Sequence, residues 1–288
     1  MDYCSDDPEA TLLDDFVDAS FSYRHVPEPH SSPWVGIFHH PARVHSPLAS
    51  DRSSVVTRLQ RDRMFRQSVR HLKGAVCLCP QLEPVLREWL GVPVLVTHHP
   101  TETDVTQFDI TQFDATERPP LFQCGFFLRD TRFVYHLDVP RYEKARSRPY
   151  TEWAVRRDAQ LKYALARGGP PQSSAEVREF DRLPDHKYDE VMASSIVVTR
   201  LFGAAANNVV VESLARNSPL LVNRLPEVEY YLGSGYPLFF RDHDHAQQLL
   251  RDWSRVEAAH QYMAEFEAPW LDAAVFAAEV ADFVRRVA

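Results

Sequence analysis

Two pairs of adjacent histidines close short apolar runs, His39-His40-Pro41 after Trp34–Phe38 and His98-His99-Pro100-Thr101-Glu102 after Val92–Val96. An imidazole titrates near neutrality, so a histidine facing a cleft can take the proton of an acceptor hydroxyl as general base. The competing reading of His39 and His40 is a capped strand end with one ring bonded to backbone, and nothing favours one ring over the other. His98 and His99 are parallel candidates on the acceptor side, or residues that order the segment they enter.

A third group offers phosphate chemistry. In Arg200-Leu201-Phe202-Gly203-Ala204-Ala205-Ala206-Asn207-Asn208 small side chains lead into an expected helix, with Asn as its N-cap. Ala205, Ala206, Asn207 and Asn208 would let a ligand approach the backbone, where free amides at a helix start attract phosphate. One turn along, the Glu212 carboxylate can accept two hydrogen bonds from a ribose diol; taken alone it reads as a solvated helix residue. Arg129, just after the Gly125 turn, and Arg200 each present a guanidinium able to grip a diphosphate in bidentate fashion, against the alternative of a surface ion pair. Tyr188 can stack on a ligand or pack in a core. Lys144 lies among Arg141, Arg146 and Arg148, a charge run that reads as a solvated face. Asp242-His243-Asp244-His245 carries metal-ligand residue types but fits a helix start, and Cys77 and Cys79 read as small core residues, so no metal is expected.

These side chains need a rigid frame. Short apolar runs alternate with amphipathic segments, the pattern of βα units around a parallel sheet. Strands are expected at Trp34–Phe38, Gly74–Leu78 and Val92–Val96, with helical spacing over Asp51–Leu72 and Leu82–Leu90 and Gly91 as a C-cap. Residues 101–120, rich in Thr, Asp, Gln and Pro and holding the near-duplicates TQFD at 106 and 111, read as a connection. A second series starts at Leu121–Gly125, with strands expected at Arg132–Leu137, Val177–Leu183, Ser195–Thr199 and Pro219–Asn223. Its helices are expected at Tyr150–Arg167, Tyr188–Ala193 and Asn208–Arg216, with a mobile loop over Gly168–Ser174. Asp244–Trp253 and Val256–Val287 read as helical, the latter broken at Pro269. In open α/β sheets ligands bind beyond the carboxyl ends of the strands, where all three chemical groups fall.

The 288 residues are 44% hydrophobic, enough for real cores, and the net charge of −8 argues against a nucleic-acid partner gripped through many phosphates. No apolar stretch is long enough to span a bilayer, and an acidic start, MDYCSDDPEA, is unlike a signal peptide; a cytoplasmic protein is expected.

The run Asn208-Val209-Val210-Val211-Glu212-Ser213-Leu214-Ala215-Arg216-Asn217-Ser218-Pro219-Leu220-Leu221-Val222 resembles the donor-site helix and strand of GT-B glycosyltransferases, and the likeness continues through Asn223–Val228 and Tyr231-Leu232-Gly233. Trp34–Pro41, His98–Glu102 and Gly125–Arg129 are similar to strand-end segments of a bacterial and viral branch of those enzymes. The resemblance implies an α/β chain of two Rossmann-like lobes facing a cleft: residues 1–118 on the acceptor side, 119–265 binding a nucleotide sugar, and a helix in 266–288 crossing back to the first lobe. It implies metal-independent transfer of a sugar from a nucleoside diphospho-sugar to a hydroxyl acceptor such as a glycan, with no other cofactor. Glu212 would hold the ribose, Gly125, Arg129, Arg200 and the 205–208 turn the diphosphate, Tyr188 would lie near the base, and His39 or His40 would face the acceptor. One departure concerns mechanism: retaining GT-B enzymes often carry a second glutamate eight positions before the first, and here that position is Ala204. A sugar-nucleotide epimerase or a non-catalytic nucleotide- or glycan-binding module on the same fold are the alternatives.

Overall fold

A computed structural model describes residues 11–22, 28–48, 55–166 and 176–288. The first sheet contains β1 (Leu12–Asp14), β2 (Trp34–Phe38), β3 (Leu72–Cys77) and β4 (Val94–Val96), in that order and all parallel. Its connections hold α1 (Val17–Ser22), α2 (Val55–Arg61), α3 (Arg63–Ser68) and α4 (Glu83–Leu90), with Gly91 closing α4 in the left-handed region as expected. All five residues of β2 are buried, as a strand covered on both faces requires. Trp34 and Phe38 pack with Val17, Leu59 and Phe65 on one face; Val35 and Ile37 turn to the other.

The second sheet runs β10-β9-β8-β5-β6-β7, again wholly parallel. Its strands are β5 (Pro120–Gln123), β6 (Glu143–Ser147), β7 (Val177–Phe180), β8 (Ile196–Thr199), β9 (Leu220–Asn223) and β10 (Phe239–Phe240). The connecting helices are α5 (Ile110–Ala115), α6 (Glu152–Ala166), α7 (Asp185–Ala193), α8 (Asn208–Ala215), α9 (Pro226–Leu232), α10 (His243–Arg251) and α11 (Trp253–Glu265). A short 3-10 turn at Pro269–Leu271 marks the expected break, and α12 (Ala273–Val287) follows with Asp272 as N-cap, its carboxylate accepting from Ala274 N at 2.7 Å.

α12 returns to the first sheet, where Val280 and Phe283 join Val35, Ile37, Val76 and Leu78 in one core. The approach is close enough that a Cβ on Gly74 would stand 2.8 Å from the Phe283 ring. Further bonds tie the halves together: Tyr231 donates to Leu78 O at 2.6 Å, His45 N to Phe202 O at 2.7 Å, and Ala206 N to His39 O at 3.3 Å.

Two expectations are corrected, and a third is refined. The segment expected as a strand at Arg132–Leu137 is a 3-10 turn over Phe133–His136, because buried side chains take its backbone groups: Gln123 accepts from Val134 N at 2.8 Å and Asp130 from Arg132 N at 3.0 Å. The charge run around Lys144 is an interior strand, β6, with Lys144 1% and Arg146 4% exposed. Lys144 donates to Leu137 O, and Arg146 lies against Asp158 and Glu179, so burial is compensated by partners rather than avoided. Residues 101–120 do connect the two sheets, and the connection carries α5, capped by Asp109, and packs onto the second lobe through buried Phe108 and Phe113, one from each near-duplicate. The expected loop at Gly168–Ser174 lies outside the described residues. β1, α1, α5, α9 and β10 were not anticipated; each is short.

Candidate functional site

The carboxyl ends of both sheets open on a cleft of about 640 Å³. The first lobe contributes Phe16, His39, His40, Pro41 and His99, and the second Gly125–Arg129, Tyr188, Ala204–Asn208 and Glu212. Of the thirteen residues expected to contact donor or acceptor, all but His98 and Arg200 therefore share one cavity, eleven in number.

The second-lobe wall is built around α8. Asn207 occupies the N-cap position, with extended backbone, but makes no capping bond; its Oδ1 accepts from Arg129 Nη2 at 3.2 Å instead. The first turn of α8 therefore faces the cleft without a side-chain cap, the arrangement that leaves its partial positive charge for a ligand. Arg129 also donates from Nη1 to Cys124 O at 3.1 Å and lies directly over Gly125, whose φ of +75° and lack of a Cβ make room for the guanidinium. Glu212 projects into the cavity one turn into α8, its Oε2 accepting from Tyr188 OH at 2.7 Å. Tyr188 thus orients the carboxylate rather than standing free, and Cys124 Sγ lies 3.5 Å from the same hydroxyl. Ala204, where a second glutamate would stand, does line the cavity.

Across the gap His39 packs on Phe16, ring centroids 4.2 Å apart, and meets His99 edge-on at 6.0 Å. His40 stacks on Phe127 of the second lobe at 4.5 Å. Burial lowers His39 to about 4, helped by His99, and His40 to about 3, helped by His39, so both rings are neutral at physiological pH. Beneath them lies Asp18, 1% exposed, which accepts from His39 N at 2.6 Å and stands 3.8 Å from His40 Nδ1; burial pushes its carboxyl up to about 7. Asp18 escaped the sequence reading. The signal was present, since an acid between Val17 and Ala19 on an apolar face needs a buried partner.

Two candidates fall outside the cavity. His98 is sandwiched between Tyr230, at 4.1 Å, and Trp270, at 4.3 Å, and orders the junction of the lobes. Arg200 pairs with buried Asp130 at 3.4 Å and does not line the cleft. Arg157, also unanticipated and 3% exposed, donates to Phe126 O at 2.7 Å and Arg129 O at 3.1 Å, fastening the loop that carries Arg129. Asp242 caps α10 by accepting from His245 N at 2.8 Å. Among the described residues no three His, Cys, Asp or Glu side chains group to hold a metal, and no helix is long and apolar enough to cross a membrane.

No protein-family model matches the chain, and no curated protein matches its sequence. Solved structures do match in shape. HepE of Anabaena, in complex with UDP and glucose, superposes with a TM-score of 0.63 at 11% identity, covering 88% of this chain and 71% of that one. The pneumococcal O-GlcNAc transferase GtfA, in complex with UDP and GlcNAc, gives 0.58 at 11% identity over 90% of this chain and 53% of its own. Trehalose-6-phosphate synthase OtsA gives 0.59 at 10% identity, over 98% and 72%. The fold is GT-B. At these identities the likeness is one of architecture, and the chain spans only about half the length of the GtfA structure. The GT-B arrangement accounts for the geometry above: two parallel sheets present their carboxyl ends to one gap, and α12 completes the lobe it left behind.

Proposed function

We propose that the chain is a glycosyltransferase that moves a sugar from a nucleoside diphospho-sugar to a hydroxyl acceptor without a metal, residues 119–265 holding the donor and 1–118 facing the acceptor. One observation carries this reading: Arg129, the uncapped start of α8 and Glu212 converge on the cavity that His39 and His40 close from the other lobe. Glu212 would take the ribose hydroxyls. Arg129 and the α8 amides would meet the charge that builds on the departing diphosphate, the task a divalent cation performs elsewhere. A neutral His39 or His40 would receive the acceptor proton, with Asp18 beneath to orient the rings. The occurrence of UDP with a sugar in the HepE and GtfA structures supports the donor class.

Calorimetric titration with uridine, guanosine, adenosine and thymidine diphospho-sugars, with EDTA present, tests the proposal; binding to none of the four overturns it. NMR of a bound donor without acceptor separates transfer from epimerisation, which would change the sugar unaided. Ala204 in the cavity wall favours one second reading, a binding module; that reading requires donor to bind and no acceptor ever to be consumed.

A further inference from the structure

Beside the polar lining residues Ser147, Arg148, Arg182 and Asp185, the cleft carries a series of aromatic rings. Phe127, stacked on His40 at 4.5 Å, is followed by Trp153 at 6.1 Å from it; Trp153 lies 5.9 Å from Phe126, and Phe126 lies 5.9 Å from Tyr150. Phe126, Phe127 and Tyr150 line the cavity itself, while Trp153 at 48% and Tyr150 at 59% exposure carry the series out to solvent at the start of α6. Burying such rings would stabilise the fold, so exposed neighbours beside a cavity mark a surface kept for a ligand.

We propose that these rings, on the second-lobe rim across from His39, are a platform that carries the far end of the acceptor while residues 1–118 face its reacting hydroxyl, and that the acceptor is an oligosaccharide at least two pyranose rings long; the inference rests on the transfer reading above. A pyranose presents an apolar face of C–H groups and a rim of hydroxyls, so it stacks on an aromatic ring while its edge hydrogen-bonds to water or guanidinium groups. Phe126, Phe127 and Tyr150 belong to the cavity wall and Trp153 adjoins the first two, so a molecule lying on Trp153 meets further rings on its way to the His40 side of the cleft. A membrane surface fits less well. Among the described residues Arg148 is matched by Glu179 and Asp181 and Arg156 by Glu152, which leaves Arg182, over the Tyr150 ring at 5.4 Å, short of the basic cluster that anionic lipid recruits.

Of the five tryptophans Trp153 is the exposed one, Trp34 being buried and Trp89, Trp253 and Trp270 half-buried, so the difference between the parent chain and Trp153→Phe isolates its fluorescence. The full chain, without donor, is titrated with cello-, malto- and chito-oligosaccharides of one to four rings. The expected result is a blue shift for at least one series, with affinity rising from one ring to three. Trp153→Ala should weaken that binding about tenfold or more, the equivalent of about 1.4 kcal/mol, and Trp153→Phe should retain most of it, followed for both variants by calorimetry. Donor affinity should be unchanged in both. No response to any saccharide by a chain that binds donor overturns the platform and leaves the transfer reading standing. Equal saccharide affinity in Trp153→Ala, or binding to phosphatidylserine vesicles in place of saccharides, also overturns it. Saccharide binding lost in Trp153→Ala by a chain that binds no donor keeps the platform and removes the transfer reading.

Discussion

The division of labour within the cleft can be tested one side chain at a time. Glu212 is held by the Tyr188 hydroxyl in the wall of the cavity. Glu212→Ala removes an acceptor of ligand hydroxyls without opening a core, and should raise the donor Kd about tenfold to a hundredfold while leaving Tm within about 2 °C, checked by calorimetry and thermal melts. Tyr188→Phe should give a smaller loss, since the carboxylate remains and only its orientation is relaxed. Acidity provides a second test. Asp18 is raised from 3.8 to about 7, so the stability of its protonated form is complete below 3.8 and lost as pH rises through 7. His39 and His40, lowered from 6.5 to about 4 and 3, act in the opposite sense: the stability of their neutral forms is complete above 6.5 and lost as pH falls through 4. Asp18→Asn keeps the neutral shape and cannot ionise. Its Tm should match that of the parent chain below about pH 3.8 and exceed it at pH 8 to 9, the gap opening between those limits; a parallel decline in both proteins would refute the assignment.

Among the elements, those buried on both faces were legible and those held by polar partners were not. β2, β8 and β9 announce themselves as continuous apolar runs, because a parallel strand between helical layers has no wet face to mark with polar residues. β6 does the reverse. Glu143-Lys144-Ala145-Arg146-Ser147 has the composition of a surface, and its burial depends on acceptors distant in sequence: Leu137 O, Thr131 O, Asp158 and Glu179. No local pattern reveals such partners. The same applies to the site: the strand-end turns were visible as histidines and small residues, whereas Asp18 and Arg157 act through contacts that only the fold creates. Arg146→Ala should destabilise the chain by about 3 to 5 kcal/mol, since it leaves Asp158 and Glu179 facing a partly buried gap, and chemical denaturation measures the loss. Arg157→Ala should lower kcat more than donor affinity if loosening the 126–129 loop misplaces Arg129 during transfer; an equal effect on both would make Arg157 merely structural.

At the scale of the molecule, the first lobe owes one whole face to α12. Phe283→Ala should cost about 3 to 5 kcal/mol, and hydrogen exchange should show the loss in β2 and β3 while the strands of the second sheet keep their protection. The chain meets a constraint here that concerns its synthesis rather than its chemistry. Thr97 of the first lobe donates to Glu279, 182 positions downstream, and Val35, Ile37, Val76 and Leu78 wait for the same helix. A ribosome delivers these strands early and their cover late, with the whole second sheet emerging in between. The lobe made first is therefore finished last, and through that interval its apolar strands stay open to wrong partners, so this protein's yield in a cell should depend on chaperones and growth temperature more than its final stability would suggest.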